Sequence, residues 1–165
     1  MQTLLLKTAP VCGKVTTPSG KGTVKFCTEP ILEGCEGAIA HGCNCEGWMH
    51  RGLADSVRRA YPDLYRKYAK FCKEKMFQPG NAIVYYALDG KVIFNLATQQ
   101  TRFSGARKEF IRKSLEKVLS LQISDTIAIP KIGCTHGKLN WEADVLPIIE
   151  QLASAYSVNF IVYEP

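Results

Sequence analysis

No stretch of this chain approaches the ~20 consecutive apolar residues that a membrane-spanning helix needs. Met1 to Leu6 opens apolar but has neither a basic leader nor a long hydrophobic region, so no secretory signal is expected. The seven cysteines, at positions 12, 27, 35, 43, 45, 72 and 134, contain no Cys-x-x-Cys pair. An odd set, several of them in apolar runs where free Cys acts as a small hydrophobe, points to a reducing, cytoplasmic compartment. His41-x-Cys43-x-Cys45 falls short of the four well-spaced ligands of a structural zinc site, so neither a metal nor a cofactor is expected. There is no Walker P-loop, no dinucleotide fingerprint, no internal repeat, no low-complexity segment and no linker.

What is present fits one globular domain of 165 residues, 46% hydrophobic and 22% charged, long enough to bury a sizeable core. Twenty-one Lys and Arg against 15 Asp and Glu give +6, a weak pointer to polyanionic partners that a solvated basic face explains better. TLLLKTA reads as an N-terminal strand and Val11 to Gly22 as a hairpin or surface loop. Strands are expected at Thr23–Cys27, at Ala38–Ala40, in TIAIP and in the closing SVNFIVYEP. NAIVYYAL and KVIFNLA, divided by Asp89-Gly90, form a hairpin pattern. Helices are expected from Gly52 to Ala60 and from Pro62 through DLYRKYAKFCKEK. A third should run from a Ser104 N-cap to Ser120. The last has Asn140 as a cap, but Pro147 sits too deep for it, so its regular part should begin a few residues later.

The informative stretch is Gly37 to Val57, a buried strand, a loop and a helix start. Gly42, Gly47 and Gly52 in it permit tight turns and close backbone approach. KIGCTHGKLNW, about ninety residues later, is a second glycine-bearing loop after a buried strand. In an open α/β sheet such loops lie beyond the carboxyl ends of the strands, where ligands bind. Two of them can cradle a diphosphate between backbone N–H groups.

HGCNCEGWMHRGLA, RRAYPDLYRKY, IPKIGCTHGKLNWE and the terminal VNFIVYEP together resemble a macro domain. The likeness is to the branch with the yeast-type ADP-ribose-1''-phosphate phosphatase and the vertebrate terminal ADP-ribose protein glycohydrolase. It covers about Thr23 to Pro165. It implies an α/β fold, a three-layer α/β/α sandwich with a mixed, mostly parallel central sheet, and a cleft for ADP-ribose. The resemblance assigns His41, Gly42, Asn44, Gly52 and Leu53 to the first loop, facing the distal ribose and phosphates. His41 matches a histidine implicated in the phosphatases. Gly133, Cys134, Thr135, His136 and Gly137 would supply donors to the diphosphate. Tyr163 matches an aromatic that lies against adenine.

The chain also departs from that pattern. Glu29, followed by Pro30, stands where the family has an aspartate that reads adenine. His50 replaces a first-loop glycine, leaving His50 and Arg51 to read a different terminal group. Thr98-Gln99-Gln100 and His136-Gly137 occupy the places of the glycohydrolase's lysine and acidic residue. A glutamine amide is no nucleophile, since attack needs a basic lone pair, so a lysine-dependent route is not expected. The three histidines, 41, 50 and 136, all lie in or beside the two loops.

Hydrolysis assisted by His41 or His136, with Asn44 beside them, is the expected chemistry, and Arg51 and the loop amides would hold phosphate. His41 also reads as a core residue. Three functions stay open: hydrolysis of ADP-ribose-1''-phosphate or a related ADP-ribosyl conjugate, non-catalytic reading of ADP-ribose or ADP-ribosylated macromolecules, and, less favoured, nucleic-acid binding. A monomer without membrane contact is expected.

Overall fold

A computed structural model of the chain describes residues 22–35 and 37–164. The expected strand at TLLLKTA and nearly all of the loop after it lie outside those residues. Six strands form one sheet: β1 (Val24–Cys27), β2 (Ala38–Cys43), β3 (Ala82–Tyr86), β4 (Val92–Ala97), β5 (Thr126–Pro130) and β6 (Asn159–Tyr163). Their order is β1-β6-β5-β2-β4-β3. All neighbours pair parallel except β3 and β4, the expected Asp-Gly hairpin. The four inner strands are mostly apolar because both faces of the sheet are covered, with His41 and Asn95 the polar residues in mid-strand. Every residue of β4 and β6 is buried.

Side chains alternate across the sheet. Phe94 and Leu96 enter one core layer with Ile111, Leu115 and Val118 of α4 (Lys108–Ser120) and with Ile149 and Leu152 of α5 (Leu146–Tyr156). Ile39, Ile93 and Ala97 enter the other, against Val57 of α2 (Gly52–Ala60) and Leu64 and Tyr68 of α3 (Pro62–Lys73). Burying one such aliphatic side chain is worth roughly 1.5–3 kcal/mol, so the periodic faces of these helices hold the three layers together. Trp141 packs into the first layer, as its place in the sequence suggests.

Three details differ from expectation or refine it. A short helix, α1 (Ile31–Gly34), follows Pro30; four residues are too few to show periodicity. Helix α4 starts at Lys108 with Arg107 as its cap, not at Ser104. The Ser104 hydroxyl is spent in a turn, accepting from Thr101 N and donating to Thr101 O, both at 3.0 Å. Asn140 does cap, accepting from Ala143 N at 2.8 Å, but it caps a π-helical turn, Trp141–Val145. Pro147 then sits in the first turn of α5, where its missing N–H costs nothing. No described helix is long and apolar enough to cross a membrane.

Because β2, β4 and β5 run parallel, their carboxyl ends share one edge of the sheet. Three loops gather there, 44–51, 98–107 and 131–140, and they are stitched together. Cys45 N donates to Gln100 O at 3.0 Å, Arg102 N to Glu46 Oε2 at 2.9 Å and Ala106 N to Gly137 O at 2.8 Å.

Candidate functional site

A cavity of about 460 Å³ opens between those loops. That is within the usual size of a small-molecule site. The first loop and its flanks contribute Gly42, Asn44, Trp48 and Arg51; the middle loop Gln99, Arg102 and Phe103; the second glycine loop Thr135, His136 and Lys138. Residues about ninety apart in sequence therefore share one wall. An ideal Cβ on Gly52 would stand 3.7 Å from His136 Nε2, which fixes how closely the two loops approach.

The first loop is built around one amide. Asn44 Nδ2 donates to Trp48 O at 2.8 Å, and its Oδ1 accepts from Glu46 N at 3.0 Å and Trp48 N at 3.3 Å. The Tyr68 hydroxyl donates toward Asn44 O (2.8 Å) and Oδ1 (2.9 Å) from beneath. Asn44 thus lines the cavity as a brace. Its carbonyl oxygen has no capacity left for the catalytic part expected of it. Gly42 lies on the cavity wall and packs closely on the middle loop: a Cβ there would stand 2.8 Å from Thr98 Oγ1. Gly52 opens α2 with φ +59, a left-handed conformation that favours glycine. Behind it, the N–H groups of Gly52, Leu53 and Ala54 are the unpaired donors of a helix start. Arg51 and Ala54 place that end on the cavity wall, where it favours an anion. The Leu53 side chain itself packs on the core.

Several expected site residues lie elsewhere. His41 is 1% exposed in the middle of β2, with Nε2 2.6 Å from Asn95 Oδ1 across the register pair His41–Asn95. Burial lowers its pKa to about 4, opposed by the Asn95 bond. It is a neutral core residue, absent from the cavity wall, and the catalytic role expected of it is withdrawn. Asn95 Nδ2 is left buried without a partner, since its carbonyl oxygen faces the histidine. Tyr163 is 1% exposed and donates its hydroxyl to Gly34 O at 3.2 Å. Its ring has no open face for adenine, so that expectation is overturned by the α1 segment packed on it. Glu29 stands beside the same Gly34, a Cβ on which would lie 2.8 Å from Glu29 Oε2, and it too is absent from the cavity wall. His50 packs edge-on between Trp48 (5.7 Å) and Tyr65 (6.1 Å) rather than lining the cavity.

The second loop divides in the same way. Gly133 O accepts from Leu139 N at 2.9 Å, and a Cβ on Gly137 would fall 2.4 Å from that same oxygen. Both glycines let the loop close on itself and stand off the cavity. Cys134 N is spent on Lys131 O at 3.2 Å, so it is not the diphosphate donor expected. Thr135 and His136 remain, exposed and on the wall.

The electrostatics narrow the chemistry. Cys43 reaches the cavity, but burial, with Cys72 and Cys45 nearby, pushes its thiol well up. Burial also raises Cys134, against a smaller opposing effect of Lys131. Neither is a thiolate nucleophile near neutral pH. Arg51, Arg102 and Lys138 line the wall, and none of the described lining residues is acidic. Arg102, Phe103 and Lys138 were not singled out from sequence. Trp48 lines the wall as well.

A family model described as Macro domain matches residues 40–148. A DNA ADP-ribosyl glycohydrolase of Thermus aquaticus is 30% identical over 149 residues, covering 86% of this chain and 41% of that protein. ADP-ribose glycohydrolase OARD1 of Bos taurus is 33% identical over 78 residues, 46% of this chain and 51% of that one. The chain thus spans about two fifths to half the length of these curated relatives. Among solved structures, the macrodomain of Thermus aquaticus DarG superposes with a TM-score of 0.75 at 30% identity, covering 87% of this chain and 99% of that one.

Proposed function

The chain belongs to the macro domain family, and on that premise we propose that it binds the ADP-ribosyl group in the cavity between its two glycine-bearing loops and hydrolyses the bond joining that group to its carrier. The observation that carries this is the convergence of Arg51 and the α2 amino end with Thr135 and His136 on one cavity of about 460 Å³. Cations and helix-start amides on one wall suit a diphosphate. Relatives named for ADP-ribosyl and ADP-ribose glycohydrolysis support a conjugate as the substrate, and the name of the Thermus relative, a DNA ADP-ribosyl glycohydrolase, makes DNA one carrier to test.

In this reading Arg51 and the first turn of α2 hold the diphosphate, and Asn44 keeps the loop in shape. A water adds to the anomeric carbon of the distal ribose as the bond to the carrier breaks. His136 takes the proton that the water loses. Histidine is the side chain best suited to that transfer near neutrality. The thiols are protonated and Gln99 is an amide, so no covalent adduct is needed or expected. ADP-ribose-1''-phosphate is a further substrate of the same site, with phosphate as the carrier.

A non-catalytic reader is the second reading, and it is favoured by the lack of any acidic side chain on the described wall. Calorimetric titration with ADP-ribose tests binding. Incubation with ADP-ribosylated oligonucleotide, ADP-ribosylated peptide and ADP-ribose-1''-phosphate tests turnover. Release of ADP-ribose from any of them supports the hydrolase; binding without release selects the reader; no binding of ADP-ribose sinks both.

A further inference from the structure

Within the described sheet, β3 is an edge strand paired only with β4. Its odd-numbered residues face β4. Ala97 N donates to Asn81 O at 2.8 Å before the strand and Ala87 N to Lys91 O at 2.9 Å after it, with Ile83–Asn95 and Tyr85–Ile93 between. The alternation turns the N–H and C=O of Ala82, Val84 and Tyr86 to the free edge, where no described residue takes them. Natural sheets blunt such an edge with a lysine, a proline or an inward charge in the strand itself, and AIVYY holds none of these. Beside the edge lies a groove of about 360 Å³ that shares no lining residue with the cavity between the loops. Phe71, Met76 and Phe77 wall it on the α3 side and Lys117 on the α4 side. Met76 is 60% exposed and Tyr86 41%, a large apolar area for an edge that faces solvent.

The charge at this groove has one sign. Lys117 Nζ donates to the neutral Asn81 Oδ1 at 2.6 Å. The Lys113 stem packs over Gly80, its Cδ 3.1 Å from where a Cβ would stand. Neither lysine forms an ion pair among the described residues, and none of the described lining residues is acidic. The two walls therefore call for different side chains. A segment laid along β3 sends alternate residues to the α3 side, beside Ile83 and the phenylalanines, and the intervening ones to the α4 side, beside Ala82, Val84 and the lysines. We propose that the β3 edge takes an extended segment of another protein in which apolar and acidic residues alternate, added as the next strand of the sheet. Ala82, Val84 and Tyr86 supply the backbone pairing, Phe71 and Phe77 receive the apolar side chains, and Lys113 and Lys117 receive the carboxylates. A second copy of this chain fits less well, because its own β3 offers AIVYY without an acid and two copies at +6 repel.

The test titrates the intact chain into a fluorescent capped peptide of about eight residues, alternating valine and aspartate, and follows anisotropy together with amide hydrogen exchange. Binding should slow exchange at Ala82, Val84 and Tyr86 and leave Ile83 and Tyr85, already bonded to β4, unchanged. Lys113→Glu combined with Lys117→Glu should weaken binding about tenfold, the scale of two exposed ion pairs turned to repulsion. Of two peptides N-methylated on the valines or on the aspartates, one should lose binding and the other keep it, since only one set of N–H groups faces β3. That comparison leaves the protein untouched. Absence of binding overturns the proposal. So does equal binding of a peptide with the same residues in two blocks, of one with lysine for aspartate, or of both N-methylated peptides. Concentration-dependent dimerisation of the chain alone, with the same amides protected, assigns the edge to a second copy and overturns the acidic partner.

Discussion

The loops after β2 and β5 occupy equivalent places at the carboxyl edge of the sheet, yet they are held by opposite means. Loop 44–51 is organised by a side chain, the Asn44 amide, bonded to Glu46, Trp48 and Tyr68. Loop 131–140 is organised by backbone, with Gly133 O taken by Leu139 and Gly137 O by Ala106. Bracing by a side chain consumes polar capacity that would otherwise face a ligand. Closure through glycine leaves neighbouring side chains free to point outward, and Thr135 and His136 do so. Resemblance of sequence pattern at two loops therefore does not imply resemblance of task. On the function proposed above, one is scaffold beside a helix start on the cavity wall, and the other presents the side chain assigned the proton transfer.

The largest effect that would break this contrast is at His136. With His136→Ala, turnover of an ADP-ribosyl conjugate should fall about 100- to 10,000-fold, as loss of a general base does, with ADP-ribose affinity nearly kept. Unchanged turnover in single-turnover assays would make the second loop scaffold as well. Asn44→Ala should instead cost about 3 kcal/mol of stability, read from urea unfolding, because it takes the partner from the Glu46 and Trp48 backbone amides and from Trp48 O. A loss below about 1 kcal/mol would show that the first loop is braced by something else.

Acid should expose the buried histidine of β2. His41 has a folded pKa of about 4 against 6.5 in the unfolded chain, so the unfolded state binds its proton first. Its contribution to stability is present above the unfolded value and is lost as pH falls toward the folded one. About 2 kcal/mol should disappear between pH 7.5 and 5, and His41→Gln should flatten that slope. A slope unchanged in His41→Gln would mean that the imidazole is not held neutral. The smallest effect is at the middle loop, where Ser104→Ala should shift stability by less than about 0.5 kcal/mol, since Ser104 caps no helix and its bonds are exposed. A loss of about 1 kcal/mol or more would restore it as a cap.

Much of the architecture was legible because it rests on local chemistry. Alternation and apolar runs placed the described strands, Asp89-Gly90 placed the hairpin, and Pro62 and Pro147 placed helix starts. The site was legible only in part. Gly42, Asn44, Arg51, Thr135 and His136 were singled out and do converge on the cavity wall. His41 and Tyr163 were misjudged because being next to a loop or at a strand end does not reveal which way a side chain points, or what covers it. Arg102 and Phe103 were not singled out because nothing in the local pattern shows that their turn folds against the cavity.

Taken alone, the sequence determined most strands and helices, the hairpin and the two loops, since period, turn residues and apolar content act over a few neighbouring positions, while the layers and the mostly parallel sheet followed from the resemblance to a macro domain. Which histidine is buried, which tyrosine is covered and which loop tip meets the cavity were decided by packing between segments distant in the chain. Those outcomes depend on burial and on competition for hydrogen bonds, and neither exists until the layers close.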